Sequence, residues 1–172
     1  ALTTDSTRSV AVDLADPRLS PEQWAHAPAR PVRNDSARSI YELHVRDFSA
    51  ADTTVPPGLR GTYRAFTVGD SAGVRHLADL ARAGMNTIHL LPTFDIASIP
   101  ESRAVQRVAR IPRGAGPDSA DQQAAVAEVA DRDAYNWGYD PLHWGAPEGS
   151  YATEGHQDGG ARVVEFRQMV GA

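Results

Sequence analysis

The stretch Y-N-W-G-Y-D-P, residues 135–141, combines residue types that rarely occur together in a packed core. Three aromatic rings alternate with polar groups, and Asn136 and Asp140 would need hydrogen-bonding partners if they were buried. A turn explains the glycine and the proline, but it does not require Trp137 or Tyr139. We therefore treat these four side chains as candidate ligand contacts.

Three further carboxylates follow predicted strands or turns. Asp47 lies at the end of a predicted strand, where the chain enters a loop, Asp95 lies just past another, and Glu148 lies in the turn-like stretch P-E-G-S. For the two aspartates we favour loop-fixing roles, paired with arginine or backbone N–H groups, over chemistry. For Glu148 we favour a hydrogen-bond acceptor that stabilises the turn.

The histidines show none of the spacing typical of a metal centre. His44 and His89 fall inside predicted strands, so we expect hydrogen-bonded core histidines. The six histidines form no i, i+4 pair and do not cluster with carboxylates. The chain has no cysteine, which excludes a disulfide and a Cys-ligated zinc site. We predict no metal site.

The composition is that of an ordinary soluble globular protein. The 172 residues are 41% hydrophobic, and 17 basic against 22 acidic residues give a net charge of −5. All the basic residues are arginine, and they form no cluster of the kind that binds nucleic acid. No apolar run approaches the roughly 20 residues of a membrane span. No signal peptide is visible, and the compartment stays open.

Residue patterns predict an α/β chain. Alternating residues indicate strands at 9–14 and 40–48, separated by a proline-spaced linker over 16–38. Helical spacing predicts a helix over 73–85 with one buried face, capped by Asp70 or Ser71 and ended by Gly84. The apolar run 87–92 follows at once, as expected for a parallel strand buried on both faces. The order strand–helix–strand is a βαβ unit.

The region from 93 to about 160 shows no further strand signal. Such a long connection is usually functional or carries structure of its own. Ser119 and Gln122 have the spacing of a capping box, and strong helix formers follow them. A last helix is predicted from 163 to 170, where Val163, Phe166 and Val170 share one side.

Five stretches together resemble the bacterial type I pullulanases of the α-amylase superfamily, glycoside hydrolase family 13. They keep the order and approximate spacing of that family from residue 8 onward: I-Y-E-L-H-V-R-D-F-S-A, R-G-T-Y-R-A-F-T, H-L-L-P-T-F-D-I-A-S-I-P-E, Y-N-W-G-Y-D-P and A-P-E-G-S-Y-A-T. Any one of them would be weaker evidence than the set. The chain departs from the family pattern at Leu142, Trp144 and Gly145, and less sharply over 156–160.

The resemblance implies an incomplete (β/α)8 TIM barrel, with its first two strands and helices and a long loop after strand two. Residues 1–15 would end a preceding β-sandwich like carbohydrate module 48, residues 16–38 would be a linker, and 39–172 would begin the catalytic barrel. Active sites of such barrels lie at the C-terminal ends of the strands. By this resemblance, Tyr139 matches the tyrosine that stacks on the glucose ring at the −1 subsite. Sugar faces pack on aromatic rings, and their hydroxyls bind groups such as Asp140 and Asn136.

The resemblance also implies hydrolysis of α-1,6-glucosidic linkages in pullulan, starch or glycogen by a retaining mechanism, which needs two carboxyl groups about 5 Å apart. In the family the nucleophilic Asp, the acid/base Glu and a third Asp follow strands four, five and seven. We expect all three beyond this chain, so it holds no catalytic residue and should be inactive alone. We expect no cofactor here, whereas relatives commonly bind calcium. The expected partners are an α-glucan and the remainder of the barrel, without nucleic acid or membrane.

Two other hypotheses stay open. A stand-alone carbohydrate-binding module would use Trp137 and Tyr139 as a platform and would bind maltooligosaccharides without the rest of a barrel. An assembly module would cover the exposed edges and apolar face of two unclosed strands with a partner. Both the stretches with structural roles and those expected at the cleft match one family. This favours the hypothesis that the chain is part of a pullulanase barrel.

Overall fold

The computed structural model describes residues 11–27 and 32–172. Its helices and strands run, in chain order, α1 Glu22–Ala25, β1 Ile40–Leu43, α2 Val45–Ala50, α3 Ala72–Arg82, β2 Thr87–Leu90, β3 Phe94–Ile96, α4 Asp121–Ala127, β4 Pro141–Pro147 and α5 Gly159–Gly171. Short 3₁₀ turns lie at Pro17–Leu19, Asp35–Ala37, Pro57–Leu59 and Tyr63–Thr67. The chain is thus a mixed α/β structure.

The predicted strand–helix–strand order is confirmed. β1 pairs in parallel with β2 through α3, in the register Ile40 to Thr87 and Leu43 to Leu90. The Ser71 hydroxyl caps α3 by accepting a hydrogen bond from the backbone N–H of Val74 at 3.3 Å. The connection after the helix bends at a glycine with φ of 107°, a conformation that favours glycine.

The predicted first strand is only half right. β1 ends at Leu43, and the next residue, His44, caps α2 by accepting a hydrogen bond from the backbone N–H of Asp47 at 3.2 Å. Arg46 and Asp47 therefore lie in a helix and not in a loop past the strand end. A local side-chain cap overrode the alternating pattern that favoured an extended strand.

The first sheet is more open than predicted. Ile88 of β2 is 46% exposed, and His89 is exposed beside Glu42 at 3.1 Å, so the core role predicted for His89 is wrong. Within the described residues this sheet has two strands only, which leaves one edge of β2 unpaired. The apolar side of α3, including Leu77, lines a hollow of about 960 Å³ with β2 and the end of α5.

A second sheet lies where no strand was predicted. β3 and β4 pair antiparallel, Asp95 opposite His143 and Ile96 opposite Pro141, with register shifts between the pairs. β3 has three residues, one of them a buried aspartate, and β4 contains a glycine and begins and ends with proline. Such residues are uncommon in strands, which explains why the pattern gave no signal.

The two later helices, α4 and α5, were both predicted, but their observed ends differ from the predicted ones. α4 begins at Asp121, and the Ser119 hydroxyl accepts a hydrogen bond from its backbone N–H at 3.1 Å. α5 begins four residues before the predicted start, where the Asp158 carboxylate accepts from the backbone N–H of Ala161 at 2.9 Å. The Asp158 cap therefore starts α5 ahead of the apolar residues from which the helix was predicted.

The core joins the first sheet, the 3₁₀ turn Tyr63–Thr67 and α5. The ring of Tyr63 is fully buried and meets the rings of Tyr151 and Phe166 edge-on, with centroids 5.8 and 5.6 Å apart. Its hydroxyl donates to the backbone carbonyl of Glu148 at 2.9 Å, so the buried polar end has a partner. This contact ties the core to the end of β4.

The predicted linker packs against α5. Arg167 of α5 donates hydrogen bonds to the carbonyls of Leu19 at 2.8 Å and Leu14 at 3.0 Å, and its guanidinium lies 5.3 Å from the ring centroid of Trp24. Residues 11–14 form no strand, and the rest of the strand predicted at 9–14 lies outside the described residues. The domain boundaries near 15 and 38 stay predictions.

Candidate functional site

The loop that carries the aromatic motif is bent at Gly138. The backbone carbonyl of Asn136 accepts a hydrogen bond from Nε2 of His44 at 2.7 Å, and its side-chain Oδ1 accepts from the backbone N–H of Gly138 at 2.7 Å. Gly138 has φ of 87°, and a Cβ there would lie 2.8 Å from Cβ of Pro92. Any other residue here would have a strained backbone and a close contact with Pro92, so this bend favours glycine.

Ser98, two residues after β3, connects two residues of this loop. Its hydroxyl donates to Oδ2 of Asp140 at 2.5 Å and accepts from Nδ2 of Asn136 at 2.7 Å. The backbone carbonyl of Asp140 also accepts from the N–H of Ala97 at 2.8 Å. The amide and carboxylate predicted to bind a ligand are therefore brought together, and both are partly buried.

The two rings predicted to bind a ligand face outward. Tyr139 is 70% exposed and Trp137 is 59% exposed. The indole N–H of Trp137 donates to the hydroxyl of Tyr135, which orients the ring. The sequence therefore placed rings and polar groups on one loop correctly, while the hydroxyl that joins the polar groups was missed.

A second group of polar residues lies in the interior around Arg162. This side chain is fully buried and contacts Asp95 at 3.2 Å and Glu101 at 2.6 Å. Asp95 also contacts Nδ1 of His143 at 2.6 Å. Arg162 and Glu101 were not identified from the sequence. Arg162, Glu165 and Met169 are buried at helical spacing on α5, but charges seldom mark a buried face.

Glu148 has the turn-stabilising role that the sequence suggested. Its two carboxylate oxygens accept from the backbone N–H groups of Ser150 at 2.7 Å and Ile96 at 2.5 Å. Burial raises the pKa of Glu148 to about 7, and burial raises that of Glu101 to about 7 despite Arg162 beside it. Asp95 pairs with Arg162 and Asp47 pairs with Arg46 at 2.5 Å, as suggested, although Asp47 is exposed and lies in a helix.

We predict that the chain is more stable near pH 5 than near pH 8. The folded state retains protons on Glu101 and Glu148 up to about pH 7, whereas an unfolded glutamate releases its proton near its ordinary pKa of 4.5. Their contribution is thus fully present below about 4.5 and lost as the pH rises through about 7. The midpoint of thermal unfolding should fall by several degrees over this range.

Circular dichroism melts at pH 5 and pH 8 would measure this change. Glu148→Gln should reduce the pH dependence, because the glutamine does not titrate. The same substitution at the exposed Glu128 should leave it unchanged. A melting temperature that stays level or rises toward pH 8 would contradict the prediction.

Neither a metal centre nor a membrane span is apparent in the part of the chain that the structure describes. Across residues 11–27 and 32–172, no three or more His, Asp or Glu side chains form a group that could hold a metal ion. No helix in these ranges is long and apolar enough to cross a bilayer.

Comparison with known proteins identifies the relatives of this chain. It is 45% identical over 175 residues to chloroplastic pullulanase 1 of Arabidopsis thaliana, covering 99% of this chain and 18% of that protein. It is 36% identical over 210 residues to pullulanase of Klebsiella pneumoniae, covering 100% of this chain and 19% of that protein. The chain is homologous to one stretch of the pullulanases. No family model matches it.

Solved pullulanase structures contain the same fold. The crystal structure of PulA from Klebsiella oxytoca matches with a TM-score of 0.84 and 35% identity over 98% of this chain and 19% of that one. The crystal structure of Klebsiella pneumoniae pullulanase complexed with maltotriose matches with a TM-score of 0.83 and 35% identity. The match covers 99% of this chain and 20% of that one. The chain thus spans about a fifth of the length of the pullulanases it matches.

Proposed function

We propose that this chain forms one wall of the substrate cleft in a pullulanase-type debranching enzyme that hydrolyses α-1,6-glucosidic linkages by a retaining mechanism. The observation that carries the proposal is the outward position of Tyr139 and Trp137 beside the fixed polar groups of Asp140 and Asn136. Homology to pullulanases, one of them solved with maltotriose, supports an α-glucan as the ligand.

The geometry suits a glucose unit. The C–H faces of a sugar ring pack on an exposed aromatic face, and the hydroxyl groups at its edge need hydrogen-bonding partners. Tyr139 offers such a face, and Asp140 lies next to it in sequence. Among the described residues, hydrogen bonds reach only Oδ2 of the Asp140 carboxylate, which leaves Oδ1 for a sugar hydroxyl.

We further propose that β1, α3 and β2 begin a (β/α)8 barrel, and that residues 1–15 end a β-sandwich. The parallel pairing of β1 and β2 through α3 supports the first part. Cofactors are proposed to be absent from this stretch, and any calcium ion of the intact enzyme would take its main ligands from elsewhere.

Three buried carboxylates among the described residues, Asp95, Glu101 and Glu148, do not suit retaining hydrolysis. That chemistry needs two accessible carboxyl groups about 5 Å apart across a sugar. Asp95 and Glu101 are buried against Arg162, and Glu148 is buried and bound by backbone N–H groups. This supports the proposal that the chain is inactive by itself.

Reducing-end release from pullulan tests the proposal, with Klebsiella pneumoniae pullulanase as the positive control. We expect no release by the purified 172-residue chain. Reproducible release that is lost in Asp47→Asn, Asp95→Asn or Asp140→Asn would show that a carboxylate pair inside the chain does the chemistry, and would overturn the proposal.

A carbohydrate-binding module is the second candidate function, because the exposed rings could bind a glucan without chemistry. A titration with maltotriose, followed by tryptophan fluorescence, separates the two. Saturable quenching by the chain alone, absent in Tyr139→Ala, would favour the binding module. The proposed wall of a cleft needs the opposite wall for tight binding and should give no saturation.

A further inference from the structure

We propose that Ser98 is a positioning residue that holds Asn136 and Asp140 in the arrangement needed to bind a glucose unit. This inference rests on the proposed function. The Ser98 hydroxyl lies between the two side chains, 2.7 Å from Nδ2 of Asn136 and 2.5 Å from Oδ2 of Asp140. These two residues flank the segment that carries the Trp137 and Tyr139 rings.

The direction of both hydrogen bonds follows from the groups involved. An ionised carboxylate can only accept, and an amide NH2 can only donate, so the hydroxyl must donate to Asp140 and accept from Asn136. The other amide atom of Asn136, Oδ1, accepts from the backbone N–H of Gly138. The Ser98 hydroxyl thus donates one hydrogen bond and accepts another, and hydrogen bonds linked in such a chain strengthen one another.

Ser98 is attached to a rigid part of the molecule. Ile96 and Ile99, on either side of it, are 2% and 1% exposed. The backbone N–H of Ile96 is held by Glu148, and that of Ala97 by the backbone of Asp140. Ser98 itself is exposed two residues after β3, so packing of its neighbours sets its position while its hydroxyl reaches Asn136 and Asp140.

Loss of this hydroxyl should reduce turnover more than substrate affinity. Without it, the Asp140 carboxylate and the Asn136 amide lose their common partner, and the backbone between them gains freedom that tilts Tyr139. A hydrogen bond to a charged group is stronger than one between neutral groups, so its loss should be measurable. A misplaced polar group affects the transition state most, because catalysis depends on interactions that are strongest there.

Nuclear magnetic resonance of the 172-residue chain tests the geometry first. In Ser98→Ala, the side-chain amide protons of Asn136 should shift and exchange faster with solvent, while Ser98→Thr should keep the native values. The exposed position leaves room for the added methyl group. Unchanged Asn136 signals in Ser98→Ala would overturn the proposal, whatever the chain does in a larger protein.

Kinetics then test the role in a chimaera, in which this chain replaces the matching stretch of Klebsiella pneumoniae pullulanase. We expect Ser98→Ala to lower kcat on pullulan about tenfold, with KM changed less than about twofold, and Ser98→Thr to restore kcat. Ser102→Ala is the matched control, because it also loses a serine hydrogen bond to a carboxylate, that of Glu154 at 3.1 Å.

The outcomes separate the two proposals. If Tyr139→Ala lowers kcat and Ser98→Ala does not, the role of Ser98 is overturned and the loop keeps its proposed function. If neither substitution lowers kcat, the loop does not contact substrate and both proposals are overturned. A fall in kcat for Ser102→Ala as large as that for Ser98→Ala would also overturn the specific role of Ser98.

Discussion

Replacing Arg162 with methionine should lower the free energy of unfolding by about 3–5 kcal/mol. The guanidinium is fully buried and contacts the carboxylates of Asp95 and Glu101, and it also donates to the backbone carbonyl of Pro147 at 3.1 Å. Methionine fills most of the volume but leaves two buried carboxyl groups without their cation. The main cost is therefore the desolvation of groups left unpaired.

Urea unfolding followed by circular dichroism would measure this loss. Because the whole stability of a domain is about 5–15 kcal/mol, Arg162→Met can leave the chain largely unfolded at room temperature. The triple variant with Asp95→Asn and Glu101→Gln should recover part of the loss, since the two buried carboxyl groups that lost their cation are replaced by neutral amides. Arg82→Met is the control, because Arg82 forms an exposed ion pair with Asp79 and such pairs contribute little. Equal stability of Arg162→Met and Arg82→Met would contradict the prediction.

The second large effect is expected at Tyr139, on turnover and not on stability. In the chimaera, Tyr139→Ala should lower kcat/KM on pullulan at least about tenfold, or about 1.4 kcal/mol. The ring is 70% exposed, so its removal opens no cavity, and stability should change by less than about 0.5 kcal/mol. Loss of a face that packs on the reacting sugar explains the difference between the two effects.

Tyr139→Phe is the matched control, because it keeps the ring and removes only the hydroxyl. It should retain most of the activity if the ring face makes the contact. Pullulan kinetics and thermal melts of the same preparations give both quantities. Equal activity of Tyr139→Ala and the unmodified chimaera would remove Tyr139 from the site.

The sequence predicted the elements whose signals are local. The parallel unit β1–α3–β2 followed from a helical apolar pattern between an alternating stretch and a short apolar run, and Ser71 and Gly84 marked the ends of its helix. α5 was found from its apolar residues. Such patterns are readable because the regular geometry of a helix or strand sets which sequence positions face the core.

Elements that depend on distant partners were missed. The partners of β3 in β4 lie 45 to 53 residues later, and neither strand carries an alternating apolar pattern. The group around Arg162 joins residues from three parts of the chain, and buried charges look like surface charges in a sequence. Burial of β2 was over-predicted, because its pattern implies neighbours that the described residues do not supply.

The candidate site was predicted only where its residues are neighbours in sequence. Aromatic and polar types in one motif identified Asn136, Trp137, Tyr139 and Asp140, since they are adjacent. Ser98 lies 38 positions before Asn136 and 42 before Asp140, and a single serine has no distinguishing pattern. Its role needs three-dimensional distances.

The contacts of Arg167 set an order of events in folding. Its hydrogen bonds to Leu19 and Leu14 close loops of 148 and 153 positions, so we expect the N-terminal turns to reach their native positions only after α5 has formed. Forming contacts between residues so distant in sequence costs conformational entropy, because a long loop must close, and such contacts are associated with slow folding. During synthesis, the N-terminal turns should therefore stay open to proteases until α5 leaves the ribosome.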